Sequence, residues 1–227
     1  MANNPMRRTD EGITSIARRA ARGAVHYCSL GAVAGPIVGT LAWFFLGLLR
    51  PEYSSVSQPI SALGVGPNGW LMDFAFVVSG LLIGIGVLAA FAESRRDMGV
   101  IGRYTCMALL MISPLGLVWI GIFTMDKLVL HAIGAQLALG APIITFLVCG
   151  LILRRAPRWR RFGNLLLWGS PFTLILLVGF IQSVPPSQFA VGGGNFGLWQ
   201  RSLATEVLGW YAALGWIAFR RASRISD

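Results

Sequence analysis

Charge is scarce in this chain. Only 12% of its 227 residues are Asp, Glu, Lys or Arg, about half the share of roughly 25% usual in soluble domains. That shortage, with 55% hydrophobic residues, excludes an ordinary water-soluble domain and places the chain in the membrane class. Cysteine is scarce too. Cys28, Cys106 and Cys149 all lie in apolar segments without a CxxC partner, so no cysteine metal or redox motif is present and they read as small hydrophobic side chains. Acidic residues number nine against nineteen basic ones, a net charge of +10. The basic residues sit at the ends of apolar runs, where they set orientation and meet anionic lipid, and this placement argues against nucleic acid.

What the chain has instead is long apolar runs. Six are long enough for a hydrocarbon core, which needs about 20 residues of helix: approximately Val25–Leu49, Trp70–Phe91, Val100–Met125, Leu128–Leu153, Phe162–Val184 and Leu198–Phe219. The expected fold class is therefore all-α, a polytopic membrane protein of six helices with short connections. Residues 1–23 are expected to form a cytoplasmic tail and an interfacial amphipathic helix, in which Ile13, Ile16, Ala17, Ala20 and Ala21 alternate with Arg18, Arg19 and Arg22. Residues 24–221 form the membrane domain and 222–227 a second tail. The first apolar run continues for a full span and reads as a retained helix, not a cleaved signal.

Six spans divide the basic residues unequally. Sixteen fall on the side of the termini, in the segments containing Arg7–Arg22, Arg95–Arg103, Arg154–Arg161 and Arg220–Arg224; Arg50, Lys127 and Arg201 fall on the other. The positive-inside rule then places both termini in the cytoplasm. Gly31, Gly35 and Gly39 in helix one, and Gly80 and Gly84 in helix two, have the spacing that lets helix backbones approach closely. Pro36, Pro114, Pro142 and Pro171 fall within helices and predict local distortion. Gly35–Thr40 and Gly140–Thr145 are weakly alike, so an inverted repeat is conceivable.

Ionisable residues within spans are costly and face a bundle interior or water. With this topology Arg50, Asp73, Asp126, His131, Arg201 and Glu206 all come out on the outer half, and His26 alone at the inner end. Asp73 shares a face with Val77, Gly80 and Gly84 and is expected to point inward. Glu206 lies roughly 9 Å below Gln200 along the last helix and predicts a partner, Arg50 or Arg201, or a proton. The 50–73 interval lies over these groups. Ser57–Gly64 reads as a short helix with Pro59 in its first turn and Ile60 and Leu63 dipping inward, a lid or re-entrant plug.

Three motifs carry a family resemblance. Tyr53-Ser-Ser-Val-Ser-Gln-Pro-Ile-Ser-Ala-Leu-Gly64, Gly121-Ile-Phe-Thr-Met-Asp126 followed by His131, and Gly197-Leu-Trp-Gln-Arg201 resemble the motifs of the bacterial and archaeal six-span family called domain of unknown function 998, over about residues 25–221. The resemblance implies a multi-pass protein of the cell membrane with shared outer-side motifs, and no activity. Ala62 stands where that pattern has an acid, and Thr124 where it has proline.

Three functions are compatible with these residues. In the first, an outer-side polar cavity binds or transports a lipid head group or small solute, with Arg50, Tyr53, Ser54, Ser57, Ser61, Asp73, Asp126, His131, Gln200, Arg201 and Glu206 as ligand-binding candidates; the arginines would hold an anionic group. In the second, the chain is a metal-free intramembrane hydrolase, with Asp126 and His131 for acid–base work and Ser54, Ser55 or Ser57 as nucleophile. A zinc site is disfavoured, because catalytic zinc takes three protein ligands and the outer side has one histidine and no cysteine. The third is a structural subunit that meets a membrane partner or a second copy through its tryptophans and small-residue faces. No cofactor is expected, and the only expected standing partner is membrane lipid.

Overall fold

The structure, a computed structural model, describes residues 23–94 and 97–226. The expected amphipathic helix and tail before residue 23, and the Arg95–Arg96 pair, lie outside the described residues. Within them the protein is all-helical, without strands. In chain order, α1 spans Gly31–Leu49, a short 3-10 segment Ile60–Gly64, α2 Trp70–Glu93, α3 Val100–Ile122, α4 Leu128–Ala135, α5 Pro142–Leu153, α6 Arg160–Gln182 and α7 Phe196–Ser226.

Among the described residues five helical stretches are long and apolar enough to cross a membrane: Gly23–Leu49, Trp70–Ala92, Val100–Ile122, Met125–Leu153 and Arg160–Gln182. The last helix, expected as a sixth, is not among them. It is long enough at 31 residues, but Gln200, Arg201, Glu206 and three tryptophans dilute its apolar content. Large apolar side chains cover the outside of the bundle, among them Phe44, Leu48, Ile101, Ile144 and Trp168, as lipid-facing surfaces require.

The helix α2 forms the centre, with 61% of its apolar stretch buried against 22–39% for the other four. It packs on α1 and α3, and α7 closes the bundle against α1, α2 and α6. Glycines set these contacts, as their spacing predicts. A side chain on Gly35 would meet the Ser79 carbonyl at 2.6 Å, and one on Gly80 the Pro114 carbonyl at 2.5 Å. The gap is also used for a hydrogen bond, from Ser79 Oγ to the Gly35 carbonyl at 2.8 Å.

The fourth expected helix is not uniform. Between α4 and α5, residues Gln136–Gly140 form a π turn, closed by the Ala141 N–H donating to the Gln136 carbonyl at 2.9 Å. Pro142 accounts for it. Proline has no N–H, and its ring clashes with the carbonyl four residues back, here Ala138. The displaced Ala138 carbonyl accepts from Ser113 Oγ of α3 at 2.7 Å instead.

Close packing at Gly35 makes a direct prediction. Gly35→Val should lower stability by about 1–3 kcal/mol, the usual cost of overpacking, whereas Gly209→Ala, which adds a methyl group to open space, should be neutral or slightly stabilising. Thermal unfolding of both variants in mild detergent checks this, and equal midpoints would contradict the packing.

Candidate functional site

At one end of the bundle α1, α3 and α6 finish and α2, α4 and α7 begin. Residues 50–69 cross this end without regular helix except at Ile60–Gly64, and left-handed turns at Gly66 (φ 82°) and Asn68 (φ 61°) lead into α2. The 3-10 segment is shorter than the helix expected from Ser57. Gln58 N–H and the Ser54 carbonyl close a separate turn at 2.8 Å, Pro59 offers no N–H, and Ile60 N–H donates to Gln200 Oε1 of α7 at 2.7 Å. Ile60 and Leu63 are buried, as expected.

An irregular stretch must find partners for its carbonyls, and two arginines supply most of them. Arg50 donates to the carbonyls of Ala62 at 2.8 Å, Val65 at 2.7 Å and Pro67 at 3.2 Å. Arg201, from the second turn of α7, donates to those of Ser55 at 2.8 Å, Gln58 at 3.0 Å and Gly197 at 3.0 Å, and to the Tyr53 hydroxyl. Its guanidinium also lies 5.4 Å from the Tyr53 ring centre. Tyr53 passes the bond on, donating to the Pro59 carbonyl at 3.0 Å. Burial pushes the Tyr53 phenol above its ordinary range; Arg201 and, more weakly, Arg50 oppose this without reversing it, so the hydroxyl keeps the proton it donates. The N–H groups of Gly193 and Leu198 take the carbonyls of Ser57 at 2.9 Å and Val56 at 3.0 Å. Ala62, in place of the usual acid, offers Arg50 only its carbonyl.

Beneath the 3-10 segment lies a cavity of about 50 Å³. About 10–15 Å³ of this measure holds one water, so there is room for a few waters or a solute of a few heavy atoms. Its walls are mostly apolar, including Trp43, Phe76, Leu117 and Val207, with Ser61, Ser113, His131 and Gln200 as the polar lining. Ser61, His131 and Gln200 are all buried. His131 Nδ1 donates to the Phe123 carbonyl at 2.9 Å and Ser113 is committed to Ala138. Gln200 spends its oxygen on Ile60, so its amide N–H groups and the Ser61 hydroxyl are left for the cavity.

The other expected site residues are elsewhere. Asp73, in the first turn of α2, sets its carboxylate against Gly64, where a β-carbon would meet Oδ1 at 2.5 Å; the charge it interacts with is Asp126. Asp126 is exposed and accepts from Thr124, the residue in place of the usual proline. Ser54 and Ser57 face each other across their own turn, with the Ser57 N–H on Ser54 Oγ at 3.4 Å. Among the described residues no hydrogen bond joins Ser57, His131 and Asp126, the three side chains of the hydrolase reading: His131 is bonded to Phe123 and Asp126 to Thr124. Among the described residues no three His, Cys, Asp or Glu side chains gather as a metal site would need.

The pairing expected of Glu206 is also corrected. Among the described residues no guanidinium is bonded to it, and both arginines bind backbone carbonyls. Instead Glu206 bonds to Thr173 Oγ1 of α6 at 2.8 and 3.0 Å and accepts from Trp210 Nε1 at 2.5 Å. Arg50 and Arg201 each direct Nη groups to three backbone carbonyls. Sequence reasoning missed Ser113, Thr173 and the π turn, although Pro142 four residues after Ala138 was a readable signal for the last.

Two predictions follow from these bonds. Arg201→Gln should reduce the opening free energy of residues 54–60 by about 2–3 kcal/mol, the scale of hydrogen bonds to a charged group, and Tyr53→Phe by about 1 kcal/mol; hydrogen exchange reads both, and wild-type protection in Arg201→Gln would refute the role. Glu206→Gln keeps the shape and both partners, so its unfolding midpoint should shift by the equivalent of no more than about 1 kcal/mol. Breaking a buried ion pair would cost about 3–5 kcal/mol, and a loss of that size would show that a cation had been overlooked.

Comparison with known proteins gives one match. The family described as "Protein of unknown function (DUF998)" matches residues 33–217. No curated protein and no solved structure matches the chain.

Proposed function

The chain belongs to this family of unknown function, and from that premise we propose that it is a six-span membrane protein whose cavity takes a small, uncharged polar solute beneath a lid formed by residues 50–69. The observation that carries the reading is the pairing of an apolar enclosure with unspent, buried polar groups, the Ser61 hydroxyl and the Gln200 amide, beside His131. Small-molecule sites have this composition: mostly apolar walls with a few convergent polar groups. A charged ligand fits less well, because no guanidinium or ammonium lines the cavity. For the same reason, and for its size, a small solute is favoured over a lipid head group.

The last helix is the sixth span in this reading. Its 31 residues extend about 46 Å, more than the roughly 30 Å of a hydrocarbon core. Its polar groups are turned to protein: Gln200 to the cavity, Arg201 to the lid and Glu206 to Thr173. Six spans put the arginine-rich ends on one side, which the positive-inside rule assigns to the cytoplasm, with the lid outside. Removal of the carboxyl-terminal end by protease added to intact cells would contradict this orientation.

Proteoliposomes test the solute reading with glycerol and urea as probes. Uptake, followed by vesicle swelling, should exceed that of protein-free vesicles severalfold, and Ala135→Leu, which fills the cavity from its wall, should abolish most of the excess. Native mass spectrometry of protein released from gentle detergent covers binding without transport. Swelling equal to empty vesicles, with no small molecule retained, would reject the proposal.

A further inference from the structure

The carboxyl of Glu206 is held by neutral groups. It is half-buried in the third turn of α7 and turns to α6, whereas Ala204, Val207 and Leu208 of the same helix line the cavity. Thr173 Oγ1, fully buried, lies 2.8 and 3.0 Å from its two oxygens, and the Trp210 indole donates to Oε1 at 2.5 Å. The indole is fixed in that direction. Gly169 leaves room for its ring, since a β-carbon there would meet Cζ2 at 2.5 Å, and Phe146 and Phe162 stand edge-on to it.

Among the described residues no charged group is bonded to this carboxyl; Thr173 and Trp210 are the side chains that act on it. Of the elements packed on α7, α1, the 3-10 segment and the π turn carry no ionisable residue. The helix α2 carries acids only in its first and last turns, Asp73 and Glu93. The helix α6 carries Arg160 and Arg161 at its start, about three turns from Thr173. The helices α3 and α5 reach α7 at Tyr211, where Cys106 and Cys149 are the titratable neighbours; Arg103 and Tyr104 lie in the first turn of α3. On α7 itself Arg201 is bonded to the lid, and Arg220, Arg221 and Arg224 lie in the last two turns.

The Thr173 hydroxyl has one hydrogen and three acceptors in reach, both Glu206 oxygens and, at 3.1 Å, the Gly169 carbonyl. A threonine inside a helix can donate to the carbonyl four residues back. When it does, Oγ1 accepts a hydrogen from Glu206 Oε2 while Oε1 accepts from Trp210, and the carboxyl is a neutral acid. Turned the other way, the hydroxyl donates to a carboxylate beside the indole. Both forms are hydrogen-bonded, and they differ by one proton and the rotation of one hydroxyl. Ionisable groups within a span are costly as ions and mark proton or ion pathways. We propose that Glu206 is a reversible proton-binding site in the seam between α6 and α7, with Thr173 as the hydroxyl that serves both of its states. The site rests on α7 as a span and not on the cavity, so a failure of solute uptake leaves it standing.

Infrared difference spectroscopy of the full chain in lipid vesicles, titrated with pH, reads the two states: the carbonyl stretch of the undissociated acid and the carboxylate stretch that replaces it. The acid band should convert as pH rises and be missing from Glu206→Gln. Thr173→Val removes a donor that the carboxylate uses more than the acid does, so the midpoint should rise by about one pH unit, the difference between hydrogen bonds to charged and to neutral groups. A lipid-soluble carbodiimide gives a readout that needs no variant. The acid O–H adds across its C=N bond, and peptide mass locates the adduct, which should form at Glu206 and fall off as pH rises. A carboxylate at every pH, an acid that keeps its proton wherever the chain stays folded, an absent adduct, or a folded Thr173→Val with an unchanged midpoint would overturn the proposal.

Discussion

Irregular backbone that roofs an apolar bundle has no regular ladder to serve its carbonyls, so side chains or other segments must supply the donors. Residues 50–69 are arranged around this constraint. Two guanidiniums, each with several N–H groups on a flexible stem, reach carbonyls that no regular ladder serves. They approach from different helices, Arg50 from the end of α1 and Arg201 from the start of α7, so the interval is tied to the first and last helices at once. The roof of the cavity is thus fastened at both ends, with Ile60 and Leu63 buried beneath it.

The two ends of the molecule use arginine in different ways. At the end covered by residues 50–69 the guanidiniums bind backbone carbonyls, and neutral groups line the space below. At the other end, Arg221 stacks on Trp159 and donates to the Arg158 carbonyl, while Arg158 pairs with Asp97. The difference lies in how much unpaired backbone each end has to satisfy.

Much of this architecture was legible in the residues themselves. Apolar runs predicted α2 from Trp70 and α3 from Val100, because the switch from polar interval to apolar run is abrupt at both. The glycine spacing anticipated the contacts at Gly35 and Gly80, since close approach leaves room for nothing larger. That the 50–73 interval lies at the same end of the bundle as Arg201, Gln200 and His131 was visible from topology and motif alone. The partners of Arg50, Arg201 and Glu206 were not. Sequence patterns pair charges with charges, but a backbone carbonyl is present at every residue and leaves no trace in composition. Thr173 was hidden for a related reason: a hydroxyl on an apolar helix has no periodic signature, and it is the approach of α7 that gives it a carboxyl partner.

The π turn at Gln136–Gly140 puts one extra residue into the helix between His131 and Pro142. Each residue of an α-helix advances about 100° around its axis, so the extra one offsets the faces on its two sides. With it, His131, Ala135, Ala138 and Leu139 all meet the cavity, while Cys149 beyond it still meets Cys106. The turn acts as a phase shifter between a half that serves the cavity and a half that serves the core. Relatives of different length here would have to choose which register to keep, and the one they sacrifice would tell which half selection values more.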